Sequence, residues 1–361
     1  MASNYEAICK ENRESYGTKG ALKSGRLAAG LYDDRTHFIF ELLQNAEDAL
    51  GRRGEWHGSR KVSFTLNPTR LTLSHFGKPF DEADVRSVCD IAESTKNESS
   101  IGRFGLGFKS VYTVTDLPEI HSGDEDFAIE NYVFPKPLKR SARAPDETQI
   151  ILPLKPQDTT AAQEIPAGFR HLGPDALLFL RHIDEISWSV ESGPSGFYLR
   201  NTPEVLGPNV RRVTVIGLES GQPEVDQNWL VFHRDVFSAE GRTAGRVEIT
   251  FSLDAIKDAP GCWAVQPLAR SPLVVFFPTV VESHLGFLVQ GPYRTTPSRD
   301  NIPPGDLWNQ HLVKETSSLL VEALRWMRDE AMLDISVLRC LPLDREKFPK
   351  DSRFAPMFDA V

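Results

Sequence analysis

The chain has 361 residues, 40% of them hydrophobic and 25% charged, with a formal net charge of −9. That is globular composition, long enough for two domains, and its acidity argues against a general basic surface for nucleic acid. Cys9, Cys89, Cys262 and Cys340 are too dispersed for a CxxC metal pair or a disulfide framework, and no apolar run reaches the length of a membrane span. The polar N-terminus MASNYEAICKENRES lacks a signal-peptide core, so a reducing cytoplasm is expected.

Residues 5–16 read as a charged helix, followed by a connection over 17–30 containing Gly, Lys and Ser. Asp33 or Asp34 is placed to cap a helix over 38–50, which Gly51 and Gly54 end. Its apolar positions, Phe38, Ile39, Leu42, Leu43, Ala46, Ala49 and Leu50, recur at helical spacing. Two alternating strands, 61–66 and 70–74, flank a turn at Asn67-Pro68, and a helix with an acidic first turn spans 81–92. Residues 93–100 are small and polar, as in a loop, and IGRFGLGFKSVYTVTD then passes from glycine-rich to helical. Strands follow at 126–133 and 148–154, and the basic run KPLKRSAR between them reads as an exposed loop rather than a phosphate-contacting patch.

Composition shifts over 155–168, where a domain boundary is placed. A helix at 175–181 precedes strands at 185–190, 196–200, 211–218, 229–233, 246–253, 273–277 and 286–290, and a long helical pattern covers 306–333. The expected organisation is therefore an α+β domain over 1–160, a second, strand-rich α/β domain over 161–303 and a helical segment over 304–361 that leads into further domains.

Two stretches carry chemistry. In FELLQNAEDAL the polar residues Glu41, Asn45 and Asp48 fall on one helical stripe, which is either a solvated face or a wall turned to a bound ion or water. In the glycine segment, Gly102, Gly105 and Gly107 precede a helix starting near Phe108. Such glycines let backbone N–H groups approach phosphate oxygens, and tight packing uses them equally. The segment is neither a Walker A loop nor a Rossmann fingerprint, since no GK[ST] ends it and no strand leads directly into it.

The order of these parts resembles the GHKL, or Bergerat-fold, ATPases. That family includes the 90-kilodalton heat-shock chaperones, DNA gyrase B subunits, MutL proteins, histidine kinases and sacsin-type proteins. YDDRTHFIFELLQNAEDAL is similar to the family's first motif, IGRFGLGFKSVY to the lid-and-glycine motif of the heat-shock and sacsin groups, and ETQIILPLK to their last. The resemblance covers roughly residues 5–155 and is nearest to sacsin-like proteins. It implies a Bergerat α/β sandwich, a mixed sheet covered on one face by helices, that binds ATP and Mg²⁺.

By the same resemblance, Asn45 holds the Mg²⁺ and Glu41 activates the attacking water as general base. Asp48, with Ala49 beside it, borders the metal's water shell or the nucleotide. Gly102, Phe104, Gly105, Leu106, Gly107, Phe108 and Lys109 cradle the phosphates; Lys109 either adds a positive charge there or is a solvated lysine. Thr148 lies near the base, and Lys96 belongs to a lid. FLVQGPYRTTPSRDNI resembles a loop of the following domain from which an arginine reaches the γ-phosphate. Arg299 is the first choice and Arg294 the reserve, with a surface salt bridge as the alternative.

One turn departs from the pattern. Where relatives have DxGxG, with the aspartate reading the adenine amino group, this chain has HFGKPF: His75 replaces the aspartate and Gly77 alone is kept. Asp81, Asp84 or Asp90 then serve in its place, or the base is read loosely; Phe76 either stacks on it or packs in the core.

The resemblance implies an ATPase of low turnover whose lid closure and domain docking drive chaperone-like or defence-complex work, with ATP-dependent pairing of two copies. Two alternatives stand beside it. One is a nucleotide-gated interaction module with little hydrolysis. The other is the motor part of a larger protein acting on nucleic acid or in prokaryotic defence.

Overall fold

A computed structural model describes residues 2–29, 34–91, 107–238, 240–256, 259, 261–296, 301–303 and 305–361, without the side chains of 18–29. The chain divides into two compact units, one of Met1–Leu199 and Gly217–Glu224, the other of Arg200–Ile216 and Val225–Val361. Each is mixed α/β. Among the described residues no helix is long and apolar enough to cross a membrane.

The first unit opens with α1 (Tyr5–Ala29), kinked at Gly17, whose φ of 59° leaves the helical region. Residues 18–29, read as a connection, are helical because their Ala, Leu, Lys and Arg content favours helix once the kink is passed. α2 (Phe38–Gly51) buries the seven apolar positions whose spacing predicts it. Asp34 does not cap it directly. Its Oδ1 accepts the Thr36 N–H at 2.8 Å and the Thr36 hydroxyl at 2.7 Å, closing a turn just ahead of the helix. Asp33 lies outside the described residues.

The sheet of this unit comprises β1 (Lys61–Asn67), β2 (Arg70–His75), β3 (Glu119–Ser122), β4 (Glu125–Glu130), β5 (Phe134–Pro137), β6 (Thr148–Pro153), β7 (Glu185–Val190) and β8 (Ser195–Arg200). Their spatial order is β8-β7-β1-β2-β6-β3-β4-β5. All neighbours are antiparallel except β1 and β7, so the sheet is mixed. The single strand expected over 126–133 is instead broken at Asn131 and Tyr132, and a turn at Gly123 precedes it, all three residues taking positive φ. Three short strands result.

α3 (Glu82–Val88) is shorter than the expected 81–92. Asp81 and Asp84 close a capping box at its start, and Cys89 ends it. The expected exposed loop KPLKRSAR contains one side chain turned inward. Arg143 is only 3% exposed, pairs with Asp126 at 2.7 Å and donates to the Gly123 carbonyl at 2.8 Å. α4 (Ala161–Leu172) lies in a stretch whose pattern Pro166 obscures, yet it buries Ile165, Phe169 and Leu172. Phe169 stacks on Trp188 and tilts against Phe64. The helix expected at 175–181 is one 3₁₀ turn, Pro174–Leu177.

The second unit holds β9 (Glu204–Gly207), β11 (Val225–Phe237), β12 (Thr243–Ala255), β13 (Trp263–Gln266), β14 (Pro272–Val275), β15 (Phe277–Glu282) and β16 (Leu288–Gln290). To these it adds most of β10 (Val210–Glu219) and the helices α5 (Leu307–Asp329), α6 (Ile335–Cys340) and α7 (Ala355–Ala360). β11 and β12 form a long antiparallel hairpin, and β14 runs parallel to β16. The strand expected at 273–277 breaks at Phe276, whose φ of 63° starts the turn into β15. Phe232, Ile249, Phe251 and Phe287 pack in one core with Leu312, Leu319, Leu320 and Met327 of α5.

Candidate functional site

Glu41, Asn45 and Asp48 follow one another at i, i+4 and i+7 along α2, a run of about 10 Å at 1.5 Å per residue. Glu41 is buried, and its Oε1 lies 3.1 Å from Nε2 of His37, one turn earlier. Gly107 closes on the other carboxylate oxygen. A β-carbon at Gly107 would stand 2.0 Å from Glu41 Oε2, so a side chain here would push the Glu41 carboxylate out of its place. Gly107 and Phe108 are helical and run into a 3₁₀ turn, Lys109–Thr113, in place of the expected α-helix. Ser110 and Thr113 donate their hydroxyls to the carbonyls three residues back, at 2.6 and 2.8 Å, which suits the tighter turn.

Among the described residues, neither the Asn45 amide nor the Asp48 carboxylate makes a side-chain hydrogen bond. Burial pushes Asp48 up to about 6, with the charges of Glu47 and Glu41 acting the same way and Arg52 opposing them.

At the far end of the stripe the turn after β2 abuts the helix. A β-carbon on Gly77 would fall 2.5 Å from Ala49 Cβ, and the Lys78 N–H donates to the Ala49 carbonyl at 2.8 Å. This closeness accounts for the one glycine the HFGKPF turn keeps. His75, Thr148 and Ser122 stand opposite one another across β2, β6 and β3 as one buried polar row. The Thr148 and Ser122 hydroxyls lie 2.5 Å apart, and Ser122 Oγ accepts the Phe80 N–H at 3.0 Å. His75 Nδ1 accepts the Gly77 N–H at 3.0 Å. Burial pulls the imidazole down to about 4, helped by Arg52 and Arg53 and opposed by Glu147.

Other expected site residues are otherwise engaged. Asp84 closes the α3 capping box and pairs with Arg52 at 2.8 Å. Lys109 is fully buried rather than solvated, and its ammonium donates to the carbonyls of Val88 and Tyr132, both at 2.6 Å. Desolvation draws it down to about 8. Phe108 packs in the core. Arg294, in the second unit, pairs with Asp306 at 3.3 Å, and its N–H donates to Asn309 Oδ1 at 2.8 Å. Lys96, Gly102, Phe104, Gly105, Leu106 and Arg299 lie outside the described residues.

Three contributors were not singled out in the sequence. His37 sits at the i−4 position of Glu41, a spacing that could have flagged it. Ser122 had no signal, because its strand was not expected. Glu47 points away from the stripe, and its carboxylate accepts the N–H groups of Arg181, His182 and Ile183 at 2.6–3.1 Å. Among the described residues no three His, Cys, Asp or Glu side chains gather as a metal site. A hard cation would rest on the Asn45 amide oxygen and on its ligand, and an unbonded amide between two carboxylates suits that chemistry.

A sequence model of the sacsin domain matches residues 29–131, the stretch holding α2, the β2 turn and the glycine segment. The chain is 29% identical over 330 residues to Protein NO VEIN of Arabidopsis thaliana, which covers 83% of this chain and 11% of that protein. It is 30% identical over 143 residues to human sacsin, covering 32% of this chain and 3% of sacsin. It is 29% identical over 120 residues to chaperone protein HtpG of Aliarcobacter butzleri, covering 26% and 19%. The chain thus spans about a ninth of NO VEIN, a small fraction of sacsin and about a fifth of HtpG. The likeness to NO VEIN extends over more residues than either unit holds. These matches support a relationship to sacsin-like and heat-shock-type, GHKL-related proteins.

Proposed function

We propose that the first unit binds Mg²⁺ and ATP along α2 and hydrolyses the γ-phosphate slowly, and that a Bergerat-type arrangement carries this chemistry. The observation that carries the reading is the contact of Gly107 with Glu41, which sets the end of the glycine segment against the one carboxylate suited to activate a water. Asn45 would hold the Mg²⁺, which when bound offsets phosphate charge. Glu41 takes the proton of the attacking water, and the His37 ring restrains its carboxylate. Asp48, raised by burial to about 6, is mostly ionised at neutral pH and would gain a counter-charge from a cation arriving beside it. Phosphate contacts fall to backbone N–H groups of the glycine segment, since Lys109 is committed to two carbonyls. The similarity to HtpG, a chaperone by name, favours conformational work on a protein partner as the outcome.

A second reading, nucleotide-gated binding with little turnover, draws on the HFGKPF turn, where the residue at the base-facing end is a neutral imidazole. Single-turnover hydrolysis of saturating Mg-ATP by wild type and Glu41→Ala, with equilibrium binding measured separately, decides between them. Under the ATPase reading the variant loses on the order of 10²–10⁴ in rate while its affinity stays within a few-fold. If wild type is as slow as the variant and both bind, gating is the function. If neither binds ATP, both readings fall.

A further inference from the structure

The polar stripe has two chemically different ends. At one, Gly107, the last glycine of its segment, meets Glu41. About 10 Å away, Ala49 meets the turn that carries His75. A nucleotide laid along α2 with its phosphates at the Glu41 end delivers its base to the His75–Thr148–Ser122 row. Two of those three side chains are occupied with each other. Ser122 Oγ accepts from Phe80 N–H and is hydrogen-bonded to Thr148, either hydroxyl donating, and both side chains are fully buried. That leaves His75.

The turn fixes what His75 can offer. The Gly77 N–H donates to Nδ1, so that nitrogen carries the lone pair and the ring proton sits on Nε2. Among the described residues Nε2 has no hydrogen-bond partner. Gly77 cannot drift away to release the tautomer, because it is pressed against Ala49 and its neighbour's N–H is tied to the Ala49 carbonyl. The imidazole is also neutral throughout the physiological range, its burial and two nearby arginines opposing protonation. A carboxylate at this position would offer the base only acceptors; His75, its Nδ1 already taken by Gly77, offers only the Nε2 donor.

We infer that His75 presents an N–H donor to the base, so that the site takes a 6-oxo purine triphosphate at least as readily as its 6-amino counterpart. An amino group at the purine 6-position meets this imidazole donor to donor, whereas an oxygen there accepts. The inference rests on the nucleotide site proposed above and sets which nucleotides that site admits.

The test is equilibrium binding of the Mg²⁺ complexes of the β,γ-imido analogues of ATP and GTP to the full chain. Wild type is expected to bind the guanine analogue as tightly as the adenine one or more so. His75→Asp restores an acceptor and should move the ratio of dissociation constants toward adenine by about 10-fold or more. His75→Asn, whose amide can turn either group to the base, should fall between. Unfolding curves for both variants separate a lost fold from a changed preference. A wild type that binds the adenine analogue tenfold tighter overturns the inference and leaves the nucleotide site standing, as does a ratio that moves in neither folded variant. If no analogue binds, the site and the inference fall together.

Discussion

The two faces of α2 carry adjacent carboxylates with opposite fates. Glu47 is buried and fully engaged, gathering three successive amides from residues 181–183. Asp48, next in sequence, has no hydrogen-bond partner among the described residues, and burial holds its carboxyl at about 6. A satisfied buried acid is a fastener, because its desolvation is offset by donors that never leave. An unsatisfied one raises the energy of the empty state and recovers it when a positive ligand arrives. The same helix thus fixes itself to the fold on one side and keeps polar groups uncommitted on the other.

Substitutions at three positions probe that division. The largest effect is expected from Glu47→Ala, which strands three amides. Denaturant unfolding should show a loss of about 3 kcal/mol, and Glu47→Gln, which restores an acceptor oxygen, should recover part of it. If Glu47→Ala leaves stability unchanged, the fastening role is wrong. Next comes Gly107→Ala, whose β-carbon collides with Glu41 Oε2. Displacing the carboxylate should slow single-turnover hydrolysis by about 100-fold with little change in stability. An unchanged rate would detach Gly107 from the site.

The smallest effect is expected from Asp48→Asn. The folded acid titrates near 6 and the unfolded one near 3.8, so the folded state holds the extra proton between those values. Wild-type stability should therefore fall as pH rises from about 4 to about 6, and the asparagine variant should lack that fall. At neutral pH the variant should be more stable by about 1–2 kcal/mol, a gain that vanishes below about pH 4. Parallel stability–pH curves for the two proteins would refute the strained-acid reading.

The stripe was legible because it is local. Glu41, Asn45 and Asp48 are set by helical spacing alone, and the apolar positions of the same segment predict its buried face. The role of Glu47 was not, since its partners lie 134–136 residues away. Lys109 reads as a charged residue at a helix start, and only the meeting of Val88 and Tyr132 around it reveals two carbonyls waiting for an ammonium. His75 is visible as a departure from the acidic turn of relatives, but its donor character follows from Gly77, whose position Ala49 dictates. The pattern over 126–133 reads as one strand because the break at Asn131 and Tyr132 uses residues that do not announce a turn as glycine does. α4 escaped notice for the opposite reason, a proline inside a helix.

The parallel pairing of β1 with β7 bears on how the chain can be dissected. A fragment cut at residue 160 would turn β1 into a raw margin and strip Glu47 of its three amides, while Phe64 would lose the ring of Phe169. The shortest excised piece able to hold the α2 stripe in its folded setting must therefore run past residue 190, well beyond Thr148, the last residue of the first unit expected near the nucleotide.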